Sequence, residues 1–450
     1  MSPNLGVREM LLVGNGAVIT RDPSRPFIRD GAVLCDGGLI REVGTWADLR
    51  ARYPEAQFLD AKGGLIHPGL INAHMHYYSA LVRGFGGKGG EPAADFVQVL
   101  ERLWWRLDKA LTLEDVKVSA QVCLLEAIRC GCTCMLDHHA SPNAITGSLF
   151  AIAEAVEEMG LSACLCYEVS DRDGEDKALE GIRENRDFIQ HASKGDGRRM
   201  AGTFGLHASL TLSDKTLDMC ASSGDYQGFH VHVAEGQTDE PLCRERHGLS
   251  IVDRFRRFGL LGPKSMAIHC IHVDQEEMEI LMDTRTAVVH NPESNMGNAV
   301  GAAKVLEMNR MGILMGLGTD GYVCDMLRSY AMANALVKHS AGHPNVGWGE
   351  IPTMLFQRNY EIANRYFSVN RGMLKEGWAA DLVVFDYDPP TPLSDANVNG
   401  HLLFGPLTGH VVHTVADGKV LYKDRAFTSV DPKAIMARAR ELAVKVWERF

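Results

Sequence analysis

His74 and His76 stand one residue apart in the run Gly69-Leu-Ile-Asn-Ala-His-Met-His76. Side chains alternate faces along a strand, so both imidazoles point the same way. Two imidazoles side by side at a strand end are half of a transition-metal site. Such a pair also occurs without a metal, so its weight depends on the rest of the chain. The later apolar runs end in similar fashion. They lead into Asp137-His138-His139, His207, His230-Val-His232-Val-Ala-Glu235, His269-Cys-Ile-His272, His290-Asn291-Pro292-Glu293-Ser294-Asn295 and Thr319-Asp320-Gly321. A histidine or carboxylate at nearly every strand end is more than a purely structural scaffold requires.

The elements that must position these residues are legible as a pattern. Short apolar runs alternate with longer helix-like stretches from about His67 onward. The runs are Leu65–Ala73, Thr133–Leu136, Ala163–Tyr167, Met200–Leu206, Gly228–Val233, Ser265–Ile271, Thr286–Val289 and Gly312–Gly318. Between them lie Thr112–Arg129, Ser148–Met159, Ala178–Ala192 and Ile251–Phe258, with apolar residues at helical spacing. Eight strands with intervening helices predict an α/β fold, a (β/α)8 TIM-like barrel over residues 65–375. Catalytic groups of that fold sit at the C-terminal ends of the strands, which is where the polar clusters fall.

The flanking segments read differently. Residues 1–64 hold short strands with an Asp36-Gly37-Gly38 turn, and residues 376–430 hold Asp381–Phe385, Gly409–Val415 and Val420–Lys423 with the turn Asp417-Gly418. They are expected to form one small composite β-sandwich from both chain ends. Asp431-Pro432 opens a final helix over 431–450, with Asp as cap and Pro in the first turn. Ile435, Leu442, Val446 and Phe450 would line one apolar face of it.

Composition narrows the function. The 450 residues are 46% hydrophobic and 23% charged, with a net charge of −11, as in a soluble globular protein and unlike a nucleic-acid groove or an anionic membrane surface. No apolar run approaches the roughly 20 residues of a membrane span, and the N-terminus lacks a secretory apolar core. The 11 cysteines, an odd number in apolar segments, fit reduced thiols and a cytoplasmic location. Cys130-Gly-Cys132-Thr-Cys134 resembles a metal tract, but its cysteines read as small buried hydrophobes.

Pro68-Gly69-Leu-Ile-Asn72-Ala-His74-Met-His76, His232-Val-Ala-Glu235, Ala267-Ile-His269-Cys270, His290-Asn-Pro292 and Gly318-Thr319-Asp320 resemble the amidohydrolase superfamily over nearly the whole chain. Within it they are most similar to the branch of cytosine and guanine deaminases and the chlorohydrolases of the atrazine and triazine type. Asp137-His-His139-Ala-Ser-Pro142 and Val289–Asn298 resemble the narrower SsnA-type aminohydrolases.

The resemblance implies one divalent metal, Zn²⁺ or Fe²⁺, bound by His74, His76, His232 and Asp320, with a position left for water. It implies that Glu235 shuttles protons to a ring nitrogen, that His269 hydrogen-bonds the attacking oxygen, and that Asp320 is both ligand and local base. The offset of three residues from His232 would put Glu235 on the opposite strand face, so it is expected just past the strand end. His207 resembles a substrate-touching histidine. No lysine occurs in Met200–Leu212, where binuclear relatives carry a bridging one, which favours a single metal. His230 and His272 flank these residues, and their parity is taken to place them elsewhere, in structural roles.

Around the pocket, the glycine-rich Tyr77–Gly90 reads as a mobile lid. Trp105 can stack a planar ring, Asp108 can bind ring nitrogens as a carboxylate does in related deaminases, and Arg106 can pair with an acidic group. A helix that merely packs its tryptophans on the barrel is an equal alternative. The expected activity is deamination of a cyclic amidine, a purine- or pyrimidine-like heterocycle, by a homo-oligomeric enzyme with no nucleic-acid or membrane partner. Ring opening or dehalogenation at the same site is the alternative, and a catalytically silent binding subunit is a third.

Overall fold

Strands from both ends of the chain meet in one sheet. A computed structural model describes residues 10–86, 91–224, 228–405 and 408–450. The strands in chain order are β1 (Leu11–Ile19), β2 (Phe27–Asp36), β3 (Leu39–Thr45), β4 (Gln57–Asp60), β5 (Leu65–Pro68), β6 (Leu70–Met75), β7 (Cys132–Asp137), β8 (Ser162–Leu165), β9 (Met200–Gly202), β10 (Phe204–Ala208), β11 (Phe229–Val233), β12 (Met266–His269), β13 (Ala287–His290), β14 (Met315–Leu317), β15 (Leu382–Phe385), β16 (Val411–Ala416), β17 (Lys419–Lys423) and β18 (Ala426–Phe427). β1–β5 and β15–β18 form a nine-stranded sheet. Its two halves join where β5 runs antiparallel to β15 and parallel to β1.

The expected hairpin turns are present. Gly37 and Gly38 take φ of 57° and 80° between β2 and β3, and Asp417 and Gly418 take 49° and 74° between β16 and β17. Two successive positive φ values match the right-handed twist of the paired strands.

The central strands are parallel and fall into two sheets, β6-β7-β8-β9 and β10-β11-β12-β13-β14. β6, β7, β8, β10, β12 and β13 are buried at every position. This is the pattern of parallel strands covered on both faces. Helices cover them from outside, and their ends follow local chemistry. The helix Leu113–Arg129 starts at a capping box of Thr112 and Asp115, and Ser148–Met159 stops at Gly160 with φ 78°.

Three expected elements differ. The run Met200–Leu206, read as one strand, is divided between β9 and β10, which lie in different sheets. The run Leu65–Ala73, read as one strand, is two: β5 lies in the terminal sheet and β6 in a parallel sheet. The change occurs at Gly69, whose N–H donates to Asp381 O at 2.9 Å. A Cβ there would fall 2.2 Å from Thr133 Oγ1, so no larger residue fits where the chain crosses between sheets. The expected lid also starts as fixed structure. Tyr77–Val82 is a 3-10 turn whose first five residues are buried. Tyr77 N donates to Asp137 Oδ1 at 2.7 Å, and Tyr77 O accepts from Ser119 Oγ at 2.6 Å. Residues 87–90 of the same segment lie outside the described residues.

The final helix, Pro432–Arg449, is capped by Asp431 as expected. Leu442, Val446 and Phe450 are buried and Ile435 is half-buried. Trp447 Nε1 donates to Leu81 O at 2.8 Å, which ties this helix to the 3-10 turn. None of the 11 cysteines is in a disulfide and all are buried, and burial pushes the Cys134 thiol up to about 12. Among the described residues no helix is long and apolar enough to cross a membrane.

Candidate active site

The C-terminal ends of the parallel strands carry the polar residues together. His74 is the last residue but one of β6, and His76 lies just beyond the strand. His138 and His139 follow β7, Glu168 follows β8, and His207 lies in β10. His230 and His232 lie in β11, His269 ends β12, and Asp320 follows β14 by three residues. Four residues at these ends take left-handed backbone without being glycine: Ala234 (φ 45°), His269 (71°), Cys270 (51°) and Asp320 (57°). Each such conformation costs about 1–3 kcal/mol and persists only where the surroundings enforce it. At Ala234 it breaks the alternation of β11. Glu235 thereby reaches the same pocket as His232.

Four of the histidines are oriented by a hydrogen bond at Nδ1. His74 Nδ1 meets His230 Nε2 at 2.8 Å, His76 Nδ1 donates to His138 O at 2.5 Å, and His232 Nδ1 donates to His207 O at 3.0 Å. His269 Nδ1 meets Asn295 Oδ1 at 2.8 Å. The Nε2 atoms are left for the centre. His76 Nε2 is 3.0 Å from Asp320 Oδ1, and His74 Nε2 is 3.7 Å from it. His269 Nε2 is 3.3 Å from Glu235 Oε2 and 3.7 Å from Asp320 Oδ2. Ser294 Oγ donates to that second Asp320 oxygen at 2.5 Å.

His230 thus corrects the parity reading. It precedes His232 by two residues, shares its strand face, and holds the His74 ring. His138, whose part the sequence left open, stacks on His230 at 4.3 Å between centroids.

These residues can hold a metal ion. His74, His76 and Asp320 bring one donor atom each within 4.8 Å of one another, and so do His74, His232 and His269. The four expected ligands are therefore joined through His74, not gathered in one of these groups. His74 Nε2 is buried with no hydrogen-bond partner, as a ligand atom turned toward an ion would be. Three imidazoles and a carboxylate are a donor set for Zn²⁺ or Fe²⁺.

The electrostatics separate the two carboxyls. Burial alone would raise Asp320, but the imidazoles of His74 and His76 beside it hold it well below the usual carboxylate range. Burial first, then Asp320 and Asp239, pushes Glu235 well above that range. Burial lowers His74 to about 3. For His76, burial is outweighed by Asp320 and Glu168, which raise it to about 9. Paired titratable groups driven apart in this way are the usual mark of an acid–base site.

The pocket is partly open and is lined by His76, His207, His232, Glu235 and Asp320, together with Trp105 and Asp108. Trp105 is 6.2 Å from the His207 ring. Asp108 is ion-paired with Arg172, whose guanidinium lies 5.3 Å over Trp105. Burial pushes Asp108 up to about 6 against the pull of Arg172. Arg106 is directed away: it donates to Phe450 O at the end of the final helix.

Sequence reasoning missed Glu168 and the part played by Arg172. Glu168 is buried, lines the pocket, and is pushed up to about 8 by burial. Its one signal was position, a polar residue just past a strand end like the others.

Residues 65–421 match the Amidohydrolase family, and residues 31–56 match the bacterial imidazolonepropionase-like composite domain. The chain is 30% identical to a protein of Methanosarcina mazei named 5'-deoxyadenosine deaminase, over 98% of this chain and 99% of the relative. It is 29% identical to a 5-methylthioadenosine/S-adenosylhomocysteine deaminase of Pelotomaculum thermopropionicum, with the same coverage. Its fold resembles an adenosine deaminase from Xanthomonas campestris solved with bound zinc. The TM-score is 0.84 at 22% identity, with 97% of this chain and 98% of that one covered.

Proposed function

The chain belongs to the amidohydrolase family, and from that premise we propose that it is a metal-dependent deaminase of an amino-substituted nitrogen heterocycle. The observation that carries the reading is the meeting, at Asp320, of the His74–His76–Asp320 cluster with the Glu235–His269 pair, beside a pocket that His76, Glu235 and Asp320 line. The relatives' names support a purine, and adenosine-type nucleosides in particular, as the first substrates to try.

His74, His76, His232 and Asp320 would hold the ion, which supplies Lewis acidity and makes water acidic enough to deprotonate near neutral pH. Glu235 takes one proton from the attacking water and delivers it to the ring nitrogen beside the amino-bearing carbon. His269, fixed by Asn295, hydrogen-bonds the attacking oxygen. Asp320, fixed by Ser294, accepts the second proton and passes it to the amino group. The carbon–nitrogen bond then breaks, ammonia leaves, and a ring carbonyl remains. Trp105 offers a flat apolar face for the ring.

We also read the two parallel sheets as one eight-stranded barrel, with β9 and β10 as a single strand interrupted at Thr203. Single-residue parallel bridges at Met75–Asp320 and Val169–Leu206 support it. The nine-stranded sheet is then the composite β domain.

Ammonia release by metal-loaded protein across purines, their nucleosides, pyrimidines, pterins and triazines tests the function. Ammonia from one ring class is the expected result. None from any, with one ion bound per chain, overturns deamination and directs attention to ring-opened or dehalogenated products. The outer contacts have a separate test. His230→Ala frees the His74 ring, and metal affinity in a chelator competition is expected to fall by about 10–100-fold, with activity recovered at higher metal. Unchanged affinity would show that His230 does not orient the ligand.

A further inference from the structure

Glu168 is a buried carboxyl in the pocket that the proton transfers above leave unused. It follows β8 by three residues and is 4% exposed. Its Oε1 is sealed from solvent without a hydrogen-bond partner, 3.3 Å from His76 Nδ1 and 3.5 Å from His138 Nδ1. Its Oε2 is 3.8 Å from His207 Nε2, beyond hydrogen-bond reach.

The His207 side of that gap has a defined character. Thr211 Oγ1 donates its hydrogen to Ala208 O at 3.1 Å, so its oxygen is the acceptor for His207 Nδ1 at 2.7 Å. A neutral imidazole that carries its hydrogen on Nδ1 presents a lone pair at Nε2. A lone-pair nitrogen and a carboxyl oxygen therefore stand side by side on the pocket wall with no bond between them. The other oxygen of the same carboxyl, Oε1, is buried without a partner, which is rare in native proteins, and a bound ligand that donates to this carboxyl resolves the deficit.

We infer that Glu168, beside His207, is a specificity residue that accepts a hydrogen bond from an N–H or O–H group of the substrate. This rests on the deaminase reading and adds a requirement to it: the heterocycle carries a donor on the side that faces the ends of β8 and β10. Two sources supply such a donor, a ring N–H of a free base or a hydroxyl of an attached sugar.

The test uses metal-loaded wild type, Glu168→Leu and Glu168→Gln with two matched pairs of compounds. Adenine against 9-methyladenine isolates the ring N–H, and 5'-deoxyadenosine against 2',5'-dideoxyadenosine isolates a hydroxyl. The wild type is expected to favour the donor-bearing member of one pair by roughly tenfold or more in kcat/KM. Glu168→Leu is expected to bring that ratio near one, mainly through KM, with metal content and melting temperature unchanged. Glu168→Gln keeps an acceptor oxygen and is expected to retain part of the preference. A wild type that prefers neither donor, a ratio unchanged in Glu168→Leu, or loss of metal from either variant overturns the inference; the last would make Glu168 a metal ligand. If the wild type releases ammonia from none of the four compounds, the choice of adenine-type substrates is what fails. The ratio of Kd values within each pair, measured by calorimetry, then decides on Glu168 by the same criterion.

Discussion

Glu235→Gln is expected to lower kcat by about 10²–10⁴-fold while the protein keeps its metal. The carboxyl is buried and stands 3.3 Å from His269 Nε2. Glutamine has the same shape and can accept the same hydrogen bond, so pocket and ligand cluster should persist. What it cannot do is take up and release a proton. Burial and the neighbouring Asp320 and Asp239 push this carboxyl well above its ordinary range. A group so placed can hold the proton taken from water long enough to deliver it to the ring, whereas an ordinary surface carboxylate would release it at once. The loss should therefore appear in kcat, with KM little changed and metal content, read by elemental analysis, equal to wild type. Full activity in this variant would sink the shuttle role and leave His269 or Asp320 to move both protons.

Much of this site was legible in the sequence because its residues obey short-range rules. The period of a strand puts His74 and His76 together, and the end of each apolar run marks where a side chain meets the pocket. The same logic placed Glu235, although the device that achieves it, a left-handed Ala234, has no sequence signal of its own. The contacts that escaped are those made between loops of different strands. Asp108 meets Arg172 across 64 positions, and Glu168 gathers His76, His138 and His207 from three other strands. No local pattern announces such pairs. Nor does an apolar run announce a change of sheet. Leu65–Ala73 is uniformly buried, and only the cramped Gly69 marks where one sheet ends and the next begins. The lid reading began too early in the chain for a related reason. Glycines after residue 83 suggested freedom, but the apolar Tyr77 and Leu81 before them have a helix and a strand end to pack on.

Asp320→Asn should have a different signature from Glu235→Gln, and the pair of variants separates metal binding from proton transfer. Asp320 is the carboxylate on which the cluster converges, with His76, His74, His269 and Ser294 all directed at it. It also occupies a left-handed backbone position, φ 57°, which asparagine tolerates better than most residues. The substitution therefore preserves shape and backbone and removes the charge. Without that charge the imidazoles face a divalent ion with no anion to offset it, and the second proton loses its acceptor. Bound metal is expected to fall well below one per chain after dialysis. Turnover should drop on the order of 10³-fold even with metal added back. Circular dichroism should show a folded chain throughout. Retained metal with lost activity would confine Asp320 to the role of base and transfer ligation to the His74–His232–His269 group. Retained activity at saturating metal would do the reverse, leaving Asp320 as ligand and returning the second proton transfer to Glu235 and His269.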